Sequence, residues 1–229
     1  MTRRTIAIWA AILLAAWFLV PPLFGFRGWE WHQKLVLEVE TPSGIKRGGS
    51  TVEIHARTEP NWLPISAAGG IQSYVKGESA FVEVAPGKYL FAILDYASGT
   101  DRAFSTFPEV GTDGYRRASA MKTFRGTRVV ARDKYPDFVT FDDISNPKSI
   151  KRVDPDNLSA TFGPGVALKG VTLTITDEPV TDSAVEKVLP WLADFYTVPL
   201  VNPNQRTQNP PDLLIRSITS GAFKTKGQG

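Results

Sequence analysis

Asp142, Asp143, Asp154 and Asp156 fall within one fifteen-residue stretch, DDISNPKSIKRVDPD. Paired carboxylates are the working groups of glycoside hydrolysis, where one gives up a proton while the other attacks or activates water, and carboxylates are also the hard oxygen ligands of calcium. The calcium-loop spacing is missing, because no glycine or glutamate follows in register. Aspartates beside Ser, Asn and Pro also have a local task, accepting hydrogen bonds from free turn amides. Asp154 stands before Pro155, the arrangement of a helix N-cap with proline at the first helical position. The four aspartates are therefore the weak catalytic candidates of a hydrolase acting on envelope polymer. The stronger reading is structural, with Asp154 capping a helix that runs to about Phe162 and stops at Gly163-Pro164-Gly165.

The chain has two histidines, His32 and His55, and no cysteine. Disulfides, thiolate nucleophiles and Cys-ligated metals are thereby excluded. No HExxH spacing accompanies the histidines, and no third member completes a Ser-His-Asp triad. A phosphate-cradling loop of the GxxxxGK[ST] or GxGxxG type is also missing. Neither a metal nor a cofactor is expected, and the histidines read as structural or surface residues.

A formal charge of +3 and a pI near 9.1 are too mild for a nucleic-acid partner, which calls for a dense basic stripe. The nearest thing to one is Tyr115 to Arg132, where Arg116, Arg117, Lys122, Arg125, Arg128 and Arg132 occur without an acid. A solvated loop and helix face explains it better than a patch for anionic lipid headgroups.

Positioning elements follow from the apolar pattern. Ile6 to Phe24 is uncharged over 19 residues and follows Arg3 and Arg4, which predicts a transmembrane helix with a cytoplasmic N-terminus and the rest of the chain periplasmic or otherwise extracytoplasmic. The membrane is then a partner through Ile6–Phe24, and an envelope protein is a second possible partner. A cleaved signal is disfavoured by the bulky residues Leu23 and Phe26 at the candidate cleavage sites. Pro21 and Pro22 break the helix near its far end. Trp29 and Trp31 suit either the membrane interface or the domain interior.

Beyond the anchor, Leu35, Leu37 and Val39 alternate with polar residues, as do Val52, Ile54 and Ala56, predicting a hairpin. Thr41 to Gly44 and Arg47-Gly48-Gly49 both read as turns, so its loop is expected to be long. Ala80 to Ala85 and Lys88 to Asp95 flank Pro86-Gly87 as a tighter hairpin, with a central second strand. Residues Glu59 to Gly70, with Trp62, read as a loop. A helix is expected over Arg116 to Phe124 and strands at Thr127 to Ala131 and Phe138 to Phe141. Val166 to Thr176 reads as a strand with a bulge at Lys169-Gly170. Asp182 or Ser183 caps a helix that Pro190 shortens. Pro199 to Pro211 reads as extended, with a last short element over Asp212 to Ile218.

Tyr135 to Thr181, YPDFVTFDDISNPKSIKRVDPDNLSATFGPGVALKGVTLTITDEPVT, resembles a signature of uncharacterised bacterial proteins in which an N-terminal membrane segment precedes a hairpin like KLVLEVETPSG. The resemblance implies the layout and carries no activity or site.

The expected fold class is α+β: a mainly antiparallel β-sheet domain over 29–218 with two or three short helices, preceded by one transmembrane helix in residues 1–28 and followed by a disordered tail, 219–229. The expected function is a non-enzymatic envelope module that binds or organises partners. Its alternatives are the hydrolase of Asp142 to Asp156 and a small-molecule or lipid pocket near Trp62 and Tyr74. An enzyme calls for a cleft with convergent acids.

Overall fold

Alternating apolar residues decide the architecture, because a strand with one buried face must lay that face on another layer. The computed structural model describes residues 3–23, 27–58, 70–95, 98–192, 199–201 and 213–226, with the side chains of 5–17 described in the first of these segments. In chain order the elements are α1 (Arg3–Leu23), β1 (Arg27–Thr41), β2 (Gly44–Thr58), β3 (Ile71–Glu78), β4 (Ala80–Ala85), β5 (Lys88–Ala92), α2 (Thr100–Thr106), α3 (Gly114–Met121), β6 (Gly126–Val129), β7 (Phe138–Phe141), β8 (Ile150–Val153), α4 (Ser159–Phe162), β9 (Ala167–Thr176), α5 (Ala184–Val188), α6 (Leu213–Ser217) and β10 (Lys224–Lys226). Two antiparallel sheets result, one of six strands in the order β10-β3-β2-β1-β9-β6 and one of four in the order β4-β5-β7-β8.

The inner face of the large sheet carries Trp29, Trp31, Leu37, Val39, Val52, Ile54, Val171, Leu173 and Ile175, which share one core with Val82, Leu90, Ala92 and Phe138 of the small sheet. The opposite face of the small sheet carries Phe91, Val139 and Phe141 into a second core, closed by Trp191, Ile215 and Phe223. Strand β5 is thus covered on both faces, as its continuous apolar run predicts. Trp29 and Trp31 are 8% and 4% exposed and belong to the first core rather than to a membrane interface.

Several expectations are corrected. No helix among the described residues is long and apolar enough to cross a membrane. Pro21 and Pro22 occupy the last turn, and Arg3 and Arg4 the first. The transmembrane helix, and the single-pass, signal-anchor and periplasmic readings attached to it, are therefore withdrawn. The α+β label gives way as well. The described domain is mainly antiparallel β, and the helices after α1 are four to eight residues long.

The first hairpin has a tight turn in place of the expected long loop. Thr41 pairs with Gly44, and Gly48 and Gly49 lie inside β2 opposite Leu37 and Val36. The bulge in β9 is at the expected place, since Gly170 faces Glu38 while Leu168 faces Val39, leaving Lys169 extra. The segment after Thr219, expected to be disordered, forms a short turn at Ser220–Ala222 and strand β10 on the edge of β3. Trp62 and most of Pro199 to Pro211 lie outside the described residues.

Candidate functional site

A two-residue turn at Pro42-Ser43 fixes the register of β1 against β2, and a slip of one residue would send every side chain to the other face. With odd-numbered residues of β1 turned inward, Glu30, His32 and Lys34 face outward. On β2 the outward set is Thr51, Glu53, His55 and Arg57. The register places Glu30 opposite His55 and His32 opposite Glu53. Two Glu-x-His segments, 30–32 and 53–55, therefore meet head to tail on one face. On β3, Tyr74 is opposite His55 and Lys76 opposite Glu53.

His55 Nε2 lies 2.7 Å from Glu53 Oε1, and its Nδ1 lies 3.6 Å from Glu30 Oε2. Lys76 Nζ is 2.8 Å from Glu53 Oε2. The chain leaving β9 crosses this face, with Thr181 N donating to the Thr51 carbonyl and Thr181 Oγ1 accepting from Thr51 N, and the Glu53 side chain is only 8% exposed. That burial pushes the Glu53 carboxyl up. Hydrogen bonds from Lys76 and Glu30 and the charges of His55 and Lys76 more than offset it, holding Glu53 below its ordinary value. The same bond to Glu53 raises Lys76. His32 Nδ1 lies 2.7 Å from the Glu178 carbonyl oxygen. A carbonyl only accepts, so Nδ1 carries a proton.

Beside this group opens a cleft of about 460 Å³ lined by Gly28, Trp29, Glu30, His55, Ala56, Arg57, Tyr74 and Lys122. Its walls are braced. The Arg57 guanidinium sits 4.8 Å from the Tyr74 ring centroid and donates to Tyr74 Oη at 2.6 Å. Trp29 Nε1 donates to Ser119 Oγ at 2.9 Å, tying β1 to α3, and the Trp29 ring meets Tyr115 edge-on at 5.1 Å. Arg27 lies 4.9 Å over the same Tyr115 ring. Lys122 follows the end of α3. With Arg57 and Lys122 against Glu30, the lining carries an excess of positive charge.

The four aspartates do not converge. Phe138 pairs with Val153 and Phe141 with Ile150, so Asp142 and Asp143 leave one end of the β7–β8 ladder while Asp154 and Asp156 leave the other. Five residue steps of about 3.4 Å put Asp142 and Asp154 roughly 15 Å or more apart, beyond the spacing of either glycosidase class. Each has a local partner. Asp142 pairs with Lys151. Asp143 Oδ1 accepts from Ser145 N at 3.0 Å and Ser145 Oγ at 2.7 Å, and these bonds lower its carboxyl. Asp156 pairs with Arg132 at 2.7 Å, which lowers it too. Lowered carboxyls are the wrong direction for a general acid.

Asp154 is not a helix cap. Its Oδ1 accepts from Asp156 N at 2.9 Å within a turn, and α4 begins only at Ser159, where Asn157 Oδ1 accepts from Ala160 N at 3.3 Å. Asp154→Ala is expected to cost about 0.5–1 kcal/mol, with Asp154→Asn near neutral, because only the acceptor oxygen matters. Urea denaturation of the two variants checks this. Equal losses in both would make the charge, rather than the turn, important.

The basic stretch is also answered locally. Arg125 pairs with Asp177, Arg128 with Glu109 at 2.8 Å, Arg132 with Asp156, and Arg116 with Asp113 at 3.3 Å. Asp156 and Asp177 come from later segments, which a reading of the stretch alone does not show.

Among the described residues two groups of carboxylate or imidazole ligands lie close enough to hold one ion: Glu30, His32 and Glu53, and Glu78, Asp182 and Glu186. In the second, Lys224 Nζ already sits among the three carboxylates, at 3.2, 2.6 and 3.0 Å. The first was legible only as two copies of Glu-x-His on strands joined by a hairpin turn.

No protein-family model, curated protein or solved structure matches the chain.

Proposed function

We propose that the chain is a non-enzymatic binding module whose ligand seat is the cleft over β1, β2 and β3, and that the ligand is a small molecule bearing a carboxylate or phosphate group. The observation that carries this reading is the cleft itself. A volume of about 460 Å³ is within the range of small-molecule sites. Arg57 and Lys122 offer charge-assisted donors, and Trp29 and Tyr74 offer flat apolar walls. Arg57 is held by stacking on Tyr74, so little side-chain freedom is lost when it meets an anion. The hydrolase alternative has no such support, because its four carboxylates stand apart.

Calorimetric titration with citrate, with inorganic phosphate and with glucose as a neutral control tests the proposal. At least one anion should bind in a saturable way while glucose does not. Lys122→Ala and Arg57→Ala should each weaken that binding about tenfold or more, the loss expected for a charge-assisted hydrogen bond. Anion binding indifferent to both substitutions would place the ligand elsewhere.

A further inference from the structure

The Glu30, His32 and Glu53 side chains raise a question the oxyanion reading leaves open. Two carboxylates and an imidazole present ligand atoms that all lie within 4.8 Å of one another. Lys76 Nζ bonds Glu53 at 2.8 Å, and His55 Nδ1 lies 3.6 Å from Glu30, too long for a hydrogen bond. Two carboxylates thus meet beside a single ammonium, which bonds only Glu53. The contrast with the Glu78 group is direct, since there an ammonium fills the centre.

From this geometry we infer that Glu30, His32 and Glu53 bind a divalent transition-metal ion, with His55 orienting Glu53. Three observations support it. The ligands are nitrogen and oxygen without sulfur, the set that suits zinc and its first-row neighbours and is too nitrogen-rich for magnesium or calcium. His32 donates Nδ1–H to the Glu178 carbonyl, the kind of outer-shell bond that orients a metal-binding histidine and leaves Nε2 as its ligand nitrogen. Glu53 is in turn hydrogen-bonded by His55 at 2.7 Å, as ligating carboxylates are. The three ligands come from two adjacent strands in fixed register, so little has to be ordered for the ion to bind. Three protein ligands leave a coordination position for water or an anionic donor. Glu30 and His55 also line the cleft, so that position faces the proposed ligand seat.

The test is calorimetric titration of the untagged full chain with zinc chloride, in a buffer free of phosphate and carboxylates. Without those anions a failure here leaves the oxyanion proposal untouched. Cobalt(II) absorption in the visible reports the ligand set in parallel. The expected result is one ion per chain, weakened about tenfold or more in Glu30→Gln and in His32→Ala, with both variants still folded by circular dichroism. Glu38→Gln, on the same outer face but outside the group, should titrate as the wild type. Lys76→Met should bind more tightly, because the ammonium competes for Glu53. Absence of saturable binding below about 1 mM, or wild-type affinity in both Glu30→Gln and His32→Ala, would overturn the site. Unchanged affinity in Lys76→Met would remove Glu53 from the ligand set and with it the three-ligand assignment.

Discussion

Glu78→Ala is expected to destabilise the domain by about 3–5 kcal/mol, the cost of leaving a buried ionic partner uncompensated. Glu78 is 1% exposed at the end of β3, and its two oxygens serve two elements. Oε2 accepts from the amides of Ala184 and Val185 at 2.9 and 3.1 Å, closing the N-terminus of α5. Oε1 is 3.2 Å from Lys224 Nζ, which locks β10 to the sheet edge beside the buried Phe223. Glu78→Gln keeps an acceptor for the α5 amides and loses only the charge, so it should cost less, roughly 1–3 kcal/mol. Urea denaturation of both variants measures the difference, and equal losses would mean that the cap contributes nothing.

The lock also sets a pH window. Burial pulls Lys224 down, but hydrogen bonds to Asp182, Glu186 and Glu78 leave it above its ordinary value. Its contribution is therefore complete below the unfolded lysine value of about 10.4 and is lost as pH rises through the folded one. Asp182, hydrogen-bonded by Lys224, is lowered. Its contribution is present above the unfolded aspartate value of about 3.9 and is lost as pH falls through the folded one. Between those limits the lock should be insensitive to pH.

Gly48→Ala is expected to cost about 3 kcal/mol or more, at the upper end of overpacking. A Cβ there would lie 1.9 Å from the Phe81 carbonyl oxygen and 2.9 Å from Val82 Cα. Both neighbours are backbone, so no side chain can turn aside, and relief requires β2 and β4 to separate. Gly170→Ala makes the comparison sharp. Nothing lies within 4 Å of its added Cβ, and a change within about 0.5 kcal/mol is expected. Thermal or urea unfolding of the pair reads the effect. Similar midpoints would show that the two sheets do not approach at Gly48.

These two sites mark where reading the chain alone runs out. Period-two alternation marked the β1–β2 hairpin and the bulge in β9, and the compact turn at Pro86-Gly87 and the continuous apolar run after it marked the β4–β5 hairpin and the central β5 strand, because each depends on neighbours in sequence. Gly48-Gly49 read as a turn, since a glycine needed for close approach by a distant strand looks the same as one needed to bend. The N-terminus of α5 was assigned to Asp182 or Ser183, yet its cap is Glu78, more than 100 residues earlier. The aspartate cluster looked dense because antiparallel folding separates what sequence brings together. The Glu-x-His pair did the reverse. His32 and His55 are 23 residues apart and became neighbours only once the turn at Pro42-Ser43 set the register. The apolar run at Ile6 was read as a membrane span from its uncharged length, yet no helix among the described residues is long and apolar enough to cross a membrane.

If the proposed ligand seat is the outer face of β1, β2 and β3 with its adjoining cleft, amide chemical-shift mapping on ¹⁵N-labelled protein during a citrate titration should reveal it. Shifts should concentrate on Gly28 to Glu30, His55 to Arg57, Tyr74 and Lys122, with Asp142 to Asp156 and Arg125 to Arg132 unmoved. Shifts confined to the Arg125 to Arg132 stretch, or to the aspartate turns, would place the ligand elsewhere.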